Sequence, residues 1–358
     1  MTRAARHAVI LAAGESTRTR PLTLHRPKPL LPLLDRPLLA HILDQLVGLV
    51  TSVTLVVGYR AEQIEATFGA AYHGIKLRYV HQSVVNGTAG AVLAAGPINE
   101  PFFLLYGDNL IAREDLLGVA AAGRYAVAGL PVADARAFGV LQISAGVVQG
   151  IHEKPSDPPP DALANPGIYQ FDQAVFPLLN QITPSTRGEL ELTDLIGALA
   201  QAGTPAYPHR CTGYWVPVGN PWEALSAALF LAMRQPQGSV VVHPTATVAS
   251  SATLVGPVVI GPHCQIGADA TISASVLEAG VQVGPAAQIA YSWIEAEAQI
   301  GAGATLQAAP NPTLQPAAEV HGSLSREQLI TRGSIIGRGA IVAAGTCLAP
   351  ETITTVGR

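Results

Sequence analysis

Charged side chains are scarce in this chain of 358 residues: they make up 13% of it, whereas hydrophobic residues make up 49%. The 21 Lys and Arg residues are balanced by 25 Asp and Glu residues, giving a formal net charge of −4. This balance excludes the broad basic surface that binds nucleic acids or anionic membranes. Any anionic ligand must therefore be bound by a few local residues. The high apolar content also excludes a mainly disordered chain.

Cysteine is almost as scarce. The three cysteines, Cys211, Cys264 and Cys347, lie far apart in sequence. None of them forms a Cys-x-x-Cys or Cys/His pattern, so no zinc site is predicted. Their odd number is typical of reduced thiols and predicts a cytoplasmic protein.

Long apolar runs are absent as well. The first apolar stretch, Ala8–Ala13, has about six residues, fewer than the roughly 7–15 of a secretory signal. No segment approaches the roughly 18 apolar residues that a membrane helix needs. The sequence predicts a protein without a membrane partner.

Up to about Met233, strand-like and helix-like segments alternate, which predicts an open, mostly parallel sheet covered by helices. The strand-like segments are His7–Ala12, Ser52–Val57, Lys76–His81, Phe102–Tyr106 and Tyr125–Leu130, followed by a hairpin of Phe138–Ile143 with Val147–Glu153. The helical segments are Leu38–Leu49, Ala61–Phe68, Thr88–Ala95, Arg113–Ala122, Thr193–Ala202 and Pro221–Met233. Ligands bind such sheets beyond the carboxyl ends of the strands.

From Val240 onward apolar residues recur every six positions, and a glycine often follows them. The series comprises Val242, Val248, Leu254, Ile260, Ile266 and Ile272, resumes after one-residue slips at Leu277 and Ile294, and returns at Ile336, Val342 and Leu348. A fixed six-residue period predicts a parallel β-helix built from hexapeptides. The stretch Ala308–Arg332 breaks the period with three prolines and is predicted to be a loop. The change of pattern predicts two domains, at 1–235 and 236–358, a number that also suits the chain length.

The loop Leu11–Pro21 directly follows the first predicted strand. Its small residues allow backbone N–H groups to approach phosphate oxygens, and Arg18 and Lys28 add positive charge nearby. Phosphoryl transfer depends mainly on positioning and charge stabilisation, which such residues supply. The loop lacks the GxxxxGK[ST] pattern of a Walker A motif. By itself it fits an ordinary strand–helix turn equally well.

Further motifs, in their order along the chain, make the functional prediction for this loop more specific. They are Pro27-Lys28-Pro29, Gln82 with Gly87-Thr88-Ala89, Gly107-Asp108-Asn109, Phe138-Gly139-Val140, Glu153-Lys154-Pro155, Asn165–Tyr169 and Gly188–Asp194. Together with the loop they resemble the motifs of sugar-1-phosphate nucleotidyltransferases. The hexapeptide tail resembles that of bifunctional uridylyltransferase/acetyltransferases and of long glucose-1-phosphate thymidylyltransferases. The resemblance implies a Rossmann-like mixed α/β sheet followed by a left-handed parallel β-helix.

The implied reaction joins a pyrimidine nucleoside triphosphate, dTTP or UTP, to a sugar 1-phosphate and releases pyrophosphate. The sugar would be glucose 1-phosphate or N-acetylglucosamine 1-phosphate. Arg18 would stabilise the leaving phosphates, Lys28 the α-phosphate and Lys154 the sugar phosphate. Asp108 would hold Mg²⁺, a hard cation that prefers oxygen ligands.

The resemblance also implies a set of binding residues. For the nucleotide they are Leu11, Ala13, Gly14, Ser16, Thr17, Gln82, Gly87, Thr88 and Asp108. For the sugar they are Gly139, Glu153, Asn165 and Tyr169. Two simpler interpretations stay open, because Asp108 could cap the following helix and Glu153 with Lys154 could be a solvated surface pair.

Several positions depart from the family pattern. Pro217 stands where the family has a second metal-binding Asp, a loss for which Asn220 is a candidate replacement. Ser16 replaces a glycine, and would be strained if that position needs a positive φ. Pro166, next to Asn165, replaces a small residue and should be tolerated if the N–H at that position is not used.

The tail lacks the acetyltransferase residues, since Pro285, Gln288 and Ala308 stand near the expected His, Tyr and Asn. We expect no acetyl transfer, and a tail that sets a homo-oligomeric state, by family a trimer. A second hypothesis is a catalytically silent, nucleotide-sugar-binding paralogue that regulates a partner. A purely structural scaffold would not account for the ordered N-terminal motifs.

Overall fold

The computed structural model describes residues 5–314 and 324–355. By its internal contacts the chain divides into two compact units. The first comprises the described part of Met1–Glu15 with Pro27–Leu30 and Leu39–Val216. The second comprises Ser16–Arg26, Leu31–Leu38 and the described part of Pro217–Arg358. The domain boundary at 235/236 stays a prediction.

Strands and helices alternate through the first 233 residues. The strands are β1 His7–Ala12, β2 Pro32–Leu33, β3 Arg36–Pro37, β4 Ser52–Val57, β5 Ala71–Tyr72, β6 Ile75–His81, β7 Phe102–Tyr106, β8 Asn109–Ile111, β9 Ala126–Pro131, β10 Gly139–Ser144, β11 Val147–Glu153, β12 Leu163–Ala164, β13 Ile168–Phe171, β14 Tyr207–Arg210 and β15 Trp215–Pro217. The helices are α1 Leu38–Leu46, α2 Ala61–Phe68, α3 Thr88–Ala95, α4 Arg113–Ala122, α5 Phe176–Leu179, α6 Leu192–Gln201 and α7 Pro221–Met233.

The main sheet has the strand order β11-β10-β12-β9-β13-β7-β1-β4-β6-β5, with β14 beside β9. Strands β7, β1, β4 and β6 run parallel, whereas β13 lies antiparallel between β7 and β9. The predicted mixed α/β sheet is confirmed. The predicted helix Leu38–Leu49 ends earlier, at Leu46.

The register of the parallel strands fixes where their loops emerge. Leu11 of β1 is level with Val56 of β4 on one side and with Tyr106 of β7 on the other. The turns after these three strands therefore open at one edge of the sheet, where ligands bind in such folds. Below them the apolar side chains of β1 and β7, such as Val9 and Leu104, are fully buried in the core.

The tail forms three parallel sheets of short strands. The first contains Val240–Val242, Val258–Ile260, Val276–Leu277, Trp293–Ile294, Ile335–Ile336 and Ile353–Thr354. The second contains Thr247–Val248, Gln265–Ile266, Gln282–Val283, Gln299–Ile300 and Ile341–Val342. The third contains Thr253–Val255, Thr271–Ser273, Gln288–Ala290, Thr305–Leu306 and Cys347–Leu348. This pattern agrees with the predicted β-helix, whose left-handedness stays a prediction.

The register explains the slips in the hexapeptide period. Val242 pairs with Ile260, Ile260 with Leu277, and Leu277 with Ile294, so these side chains stack on successive coils. Two of these steps are one residue shorter than three full hexapeptides, and the buried column stays aligned across them. Ile294 then pairs with Ile336, across the whole interrupting stretch. Burial of this column drives the stacking of coils.

The prediction of a plain loop at Ala308–Arg332 is wrong in part. Strand Ala309–Pro310 pairs antiparallel with Thr331–Arg332, and helix α8 spans Arg326–Ile330. Ser325 and Gln328 form a capping box at the start of α8, a signal that was present in the sequence. The stretch predicted as a loop includes His321, which lies outside the described residues. Among the helices of the described ranges, none is long and apolar enough to span a membrane.

Candidate active site

The turn after β1 is held by the end of β7. The backbone N–H of Gly107 donates to the carbonyl oxygen of Leu11 at 2.9 Å. A Cβ atom at position 107 would lie 2.6 Å from that oxygen, so only glycine permits the approach. On the other side, the N–H of Tyr59 donates to the carbonyl of Ala13 at 3.1 Å. Asp108 therefore stands beside the turn that contains the predicted nucleotide-binding residues Leu11, Ala13 and Gly14.

Lys28 and Asp108 form an ion pair at this edge. The distance from Lys28 Nζ to Asp108 Oδ2 is 2.9 Å. The Lys28 side chain is 8% exposed and that of Asp108 is 40% exposed. A buried ammonium group requires a counter-charge, because its desolvation is costly. The pair thus places a buried cation and an accessible anion at one point, although they are far apart in sequence.

Asp108 does not cap the next helix. Helix α4 begins at Arg113, and its N-cap residue is Ala112. The alternative in which Asp108 serves only as a cap is therefore excluded. A carboxylate exposed at the strand edge fits a divalent cation such as Mg²⁺, which keeps most of its waters and binds one or two carboxylates together with substrate phosphates.

The predicted base-binding residues lie in a loop with tight internal contacts. The side-chain amide of Gln82 donates to Asn86 Oδ1 at 3.2 Å and to the carbonyl of Gly87 at 3.4 Å. Gly87 has φ of 101°, and a Cβ there would lie 2.5 Å from the carbonyl oxygen of Leu190. Glycine is thus required at this position on both grounds. The buried Gln82 amide is held in one orientation, as a group that reads a base must be.

The segment Gly188–Asp194 supports the same loop. The N–H of Leu190 donates to the carbonyl of Asn86 at 2.7 Å, and the N–H of Leu192 donates to Thr88 Oγ1 at 2.9 Å. Thr88, predicted to bind nucleotide, therefore uses its hydroxyl oxygen to hold the start of α6. The motif predicts a functional segment but not its contact with the loop of Gln82 and Gly87, because 104 residues separate Thr88 from Leu192.

The predicted sugar-binding residues meet where β10, β11 and β12 come together. Gly139 of β10 is opposite Glu153 of β11, and the N–H of Asn165 donates to the carbonyl of Gly139 at 2.8 Å. Lys154 follows with φ of 48°, in the left-handed region that few residues other than glycine adopt. The side chains of Glu153 and Lys154 are exposed. Both functional and solvated-pair interpretations fit that exposure.

Tyr169 is fully buried, and its hydroxyl accepts a hydrogen bond from the Asn165 side-chain amide at 2.6 Å. The Asn165 amide oxygen in turn accepts from the N–H of Gly167 at 3.1 Å. Burial raises the pKa of Tyr169 well above its ordinary value and raises that of Tyr106 to about 12. Both phenols therefore keep their protons near neutral pH. Tyr169 orients Asn165 from within the core.

The carbonyl of Pro166 accepts two hydrogen bonds that the sequence did not predict. Asn109 Nδ2 and Trp215 Nε1 each donate to it at 3.1 Å. The Asn of the Gly107-Asp108-Asn109 motif thus connects the predicted metal segment to the predicted sugar segment. Proline is tolerated at position 166 because the contact uses its carbonyl oxygen, whereas its missing N–H is not involved.

The remaining residues of the loop Leu11–Pro21, from Ser16 onward, belong to the second unit. Ser16 has φ of 56° and ψ of 44°, so the position that is glycine in the family does require the left-handed conformation. Serine there carries a modest backbone strain, on the order of 1 kcal/mol. Ser16 occupies the N-cap position of the short 3₁₀ helix Thr17–Thr19, on which Thr17 and Arg18 are exposed.

The region around Pro217 shows helix capping. Asn220 Oδ1 accepts from the N–H groups of Trp222 and Glu223 at 3.1 and 3.0 Å, which caps α7. Glu223 Oε2 accepts from the N–H of Gly219 at 2.6 Å. The amide oxygen suggested as a replacement for the second metal-binding carboxylate is therefore already used by the helix.

The sequence does not predict the cluster of Asp115, His209 and Cys211, in which Asp115 and Cys211 are buried and His209 is partly buried. Their potential ligand atoms all lie within 4.8 Å of one another. Asp115 Oδ1 lies 3.1 Å from His209 Nε2 and accepts from the N–H of Thr212, while Oδ2 accepts from that of Gly213. Burial raises the pKa of the Cys211 thiol, which favours the neutral form. Both oxygens of the Asp115 carboxylate thus have hydrogen-bond partners, and these bonds fix the position of the segment before β15.

A model of the nucleotidyl transferase family matches residues 7–234. The chain belongs to this family. A second model, described as the GMPPB C-terminal domain, matches residues 236–356. Nucleotidyltransferases of this family generally use divalent metal ions.

Named relatives agree with this assignment. The chain is 36% identical over 225 residues to the bifunctional protein GlmU of Methanocaldococcus jannaschii, covering 63% of this chain and 54% of GlmU. It is 34% identical over 227 residues to the UTP–glucose-1-phosphate uridylyltransferase AglF of Haloferax volcanii, covering 60% of this chain and 91% of AglF. It is 34% identical over 282 residues to a glucose-1-phosphate thymidylyltransferase of Streptomyces griseus, covering 72% and 79%. The chain spans about half the length of the GlmU proteins that it matches.

Proposed function

We propose that this nucleotidyltransferase joins a pyrimidine nucleoside triphosphate, dTTP or UTP, to a sugar 1-phosphate and releases pyrophosphate. The observation that carries the proposal is the Lys28–Asp108 pair, with Nζ and Oδ2 2.9 Å apart at the carboxyl edge of the parallel strands. A phosphate would give Lys28 a new anionic partner, and the carboxylate would then be available to a metal. Nucleotidyl transfer depends on positioning and on charge stabilisation, and such an exchange would supply both a cation for the phosphate and a ligand for the metal.

In the proposed reaction an oxygen of the sugar phosphate attacks the α-phosphorus in line, and the pyrophosphate oxygen leaves. Lys28 donates hydrogen bonds to the α-phosphate, and Arg18 stabilises the charge of the leaving phosphates. Lys154 binds the phosphate of the sugar. Mg²⁺ bound to Asp108 would neutralise charge on the nucleotide phosphates. Positioning and charge stabilisation by these residues together supply the expected acceleration.

The side-chain amides of Gln82 and Asn165, both oriented by hydrogen bonds, are proposed to recognise the substrates. Gln82, oriented by Asn86 and Gly87, is proposed to read the base, with Leu11, Ala13, Gly14, Ser16, Thr17 and Thr88 around the nucleotide. Glu153 and Asn165 are proposed to bind sugar hydroxyls beside Gly139, with Tyr169 orienting Asn165. Glucose 1-phosphate and N-acetylglucosamine 1-phosphate are the proposed sugars. Uridylyl and thymidylyl transfer to glucose 1-phosphate both occur in the names of relatives.

The tail is proposed to set a homo-oligomeric state, by family a trimer, and to lack acetyltransferase activity. Gln288, near the expected catalytic position, is an exposed residue of a strand in the third β-helix sheet. Incubation with acetyl-coenzyme A and an amino sugar phosphate should release no free thiol above background. Sedimentation of the full chain measures the oligomeric state.

A second candidate is a silent nucleotide-sugar-binding protein. It is favoured by Pro217, which removes one family carboxylate, and by Asn220, whose amide oxygen is occupied at the cap of α7. Incubation of the full chain with UTP or dTTP, each sugar 1-phosphate and Mg²⁺ distinguishes the two functions. Formation of nucleotide sugar supports the enzyme. Binding of nucleotide sugar with no product from any pair supports the silent protein and overturns the proposed reaction.

A further inference from the structure

Arg26 forms a nearly buried three-residue ion cluster with two carboxylates of the β-helix. Its Nη2 atom lies 2.9 and 2.6 Å from the two carboxylate oxygens of Glu278 and 3.0 Å from Oε1 of Glu295. The side chains of Arg26, Glu278 and Glu295 are 18%, 4% and 2% exposed. All three residues belong to the second unit. None of them has a place in the proposed reaction.

The β-helix fixes both carboxylates independently of Arg26. Trp293 Nε1 donates to Glu278 Oε1 at 2.8 Å, and the N–H of Ala296 donates to Glu278 Oε2 at 3.3 Å. The N–H of Arg338 donates to Glu295 Oε2 at 3.2 Å. The cluster is therefore a rigid acceptor built by successive coils, into which the guanidinium group fits.

Two buried carboxylates on adjacent coils require a cation. Glu278 and Glu295 each follow the first-sheet residues Leu277 and Ile294, which pair in register. Burial and the neighbouring Glu278 raise the pKa of Glu295, since like charges repel in a poorly solvated place. Arg26, at the end of the segment Ser16–Arg26, supplies that cation. The β-helix therefore binds the segment Ser16–Arg26 through the ion pairs of Arg26.

The segment from Ser16 to Arg26 is short, and hydrogen bonds and buried side chains hold it in place. Thr23 Oγ1 donates to the carbonyl of Ser16 at 2.9 Å, and Thr19 Oγ1 donates to the carbonyl of Gly219 at 3.3 Å. Thr19, Leu22 and Thr23 are fully buried. A shift at Arg26 is therefore transmitted to Ser16, from which the 3₁₀ helix carrying Arg18 begins.

We propose that Arg26 is a positioning residue, and that Glu278 and Glu295 of the β-helix, acting through it, hold Ser16, Thr17 and Arg18 in the geometry that binds nucleoside triphosphate. The β-helix thus sets the nucleotide affinity in addition to any role in assembly. This inference rests on the proposed nucleotide-binding function of the same loop.

The test measures binding of UTP and dTTP with Mg²⁺ by calorimetry, and kinetics where turnover is present, in the full chain. Arg26→Met is expected to weaken nucleotide binding by about tenfold or more, while the KM for sugar 1-phosphate changes by less than about twofold. Arg26→Lys is expected to restore most of the affinity, because one nitrogen makes all three contacts. The control, Glu297→Gln, removes an exposed pair with Arg338 on the same β-helix and should leave nucleotide affinity unchanged.

A neutral variant separates positioning from folding. Arg26→Met combined with Glu278→Gln and Glu295→Gln removes all three buried charges, so the fold should tolerate it better than Arg26→Met alone. Its nucleotide affinity is still expected to be about tenfold weaker than that of the wild type. Wild-type affinity in this neutral variant, or an equal loss of affinity in Glu297→Gln, would overturn the proposal. Nucleotide binding by the wild type without turnover would overturn only the proposed reaction. No nucleotide binding by the wild type would overturn both the proposed reaction and the positioning role of Arg26.

Discussion

The ammonium nitrogen of Lys28 lies 2.9 Å from Oδ2 of Asp108, across 80 residues of sequence. The two side chains differ in exposure, since Lys28 is buried and Asp108 is in contact with solvent. The pair is thus asymmetric: removing either residue leaves a different group behind. That asymmetry can be measured without any substrate.

Asp108→Ala should destabilise the fold more than Lys28→Met does. The first change leaves a buried ammonium without its partner, at a cost of about 1–3 kcal/mol after allowance for the exposure of Asp108. The second change removes the buried charge and leaves a solvated carboxylate, with a change below about 1 kcal/mol. Urea unfolding measures both values. As a control, Asp134→Ala breaks the exposed pair with Arg136 and should change stability little. The reverse order of the first two variants would contradict this description of the pair.

Gly107→Ala should destabilise the protein by about 1–3 kcal/mol, because the added Cβ would lie 2.6 Å from the Leu11 carbonyl oxygen and would push β1 and β7 apart. Gly197→Ala, in the middle of α6, is the matched control, because a Cβ there would lie 4.0 Å from the Gln149 carbonyl oxygen, the nearest described atom outside its own helix segment. It should stabilise the protein by up to about 1 kcal/mol through helix propensity. Thermal unfolding of the two variants checks the contrast, and equal effects would contradict the close approach at position 107.

Tyr169→Phe should raise the KM for sugar 1-phosphate several-fold and change the KM for nucleoside triphosphate little. The substitution removes the hydroxyl that accepts from the Asn165 amide, so Asn165 loses its fixed orientation. Tyr79→Phe is a suitable control, because its hydroxyl donates to the carbonyl of Gly69 and no role in substrate binding is proposed for it. Steady-state kinetics with each substrate varied in turn gives both constants. A selective rise in the nucleotide KM would instead place Tyr169 in a different role.

The predicted sugar-binding residues show which contacts can be predicted from sequence motifs and which cannot. The motif predicted Gly139, Glu153 and Asn165 as one group, and the register of β10 with β11 does bring Gly139 opposite Glu153. The burial of Tyr169 depends on β13 lying between β7 and β9, which no local pattern encodes. For the same reason the hydrogen bond from Asn109 to Pro166 was not foreseen.

The fold was easier to predict where the period is strict. The six-residue period identified Ile260, Leu277 and Ile294 as members of the apolar series, and the register shows that they stack across the one-residue slips. Buried charges gave no such signal. Glu278 and Glu295 occupy positions next to inward residues, and the distant Arg26 supplies the positive charge that compensates their carboxylates there.

Stability should fall as pH rises above about 10. Burial raises the pKa of Tyr106 to about 12, from about 10 in the unfolded chain. Its contribution to stability is therefore fully present below pH 10 and is lost progressively as pH rises toward 12, because the unfolded state releases its proton first. In Tyr106→Phe the melting temperature should decline less steeply between pH 10 and 11.5. Parallel curves for the variant and the wild type would show that Tyr106 does not contribute to this decline.

The most direct test of the proposed function is pyrophosphate release as a function of Mg²⁺ concentration, in the wild type and in Asp108→Ala. The assay uses UTP or dTTP with glucose 1-phosphate or N-acetylglucosamine 1-phosphate. We predict Mg²⁺-dependent release by the wild type with at least one pair, and a loss of about 100-fold or more in the variant. Equal release by both proteins, or none by the wild type at any Mg²⁺ concentration, would contradict the assignment of Asp108 as the metal-binding residue of a working transferase.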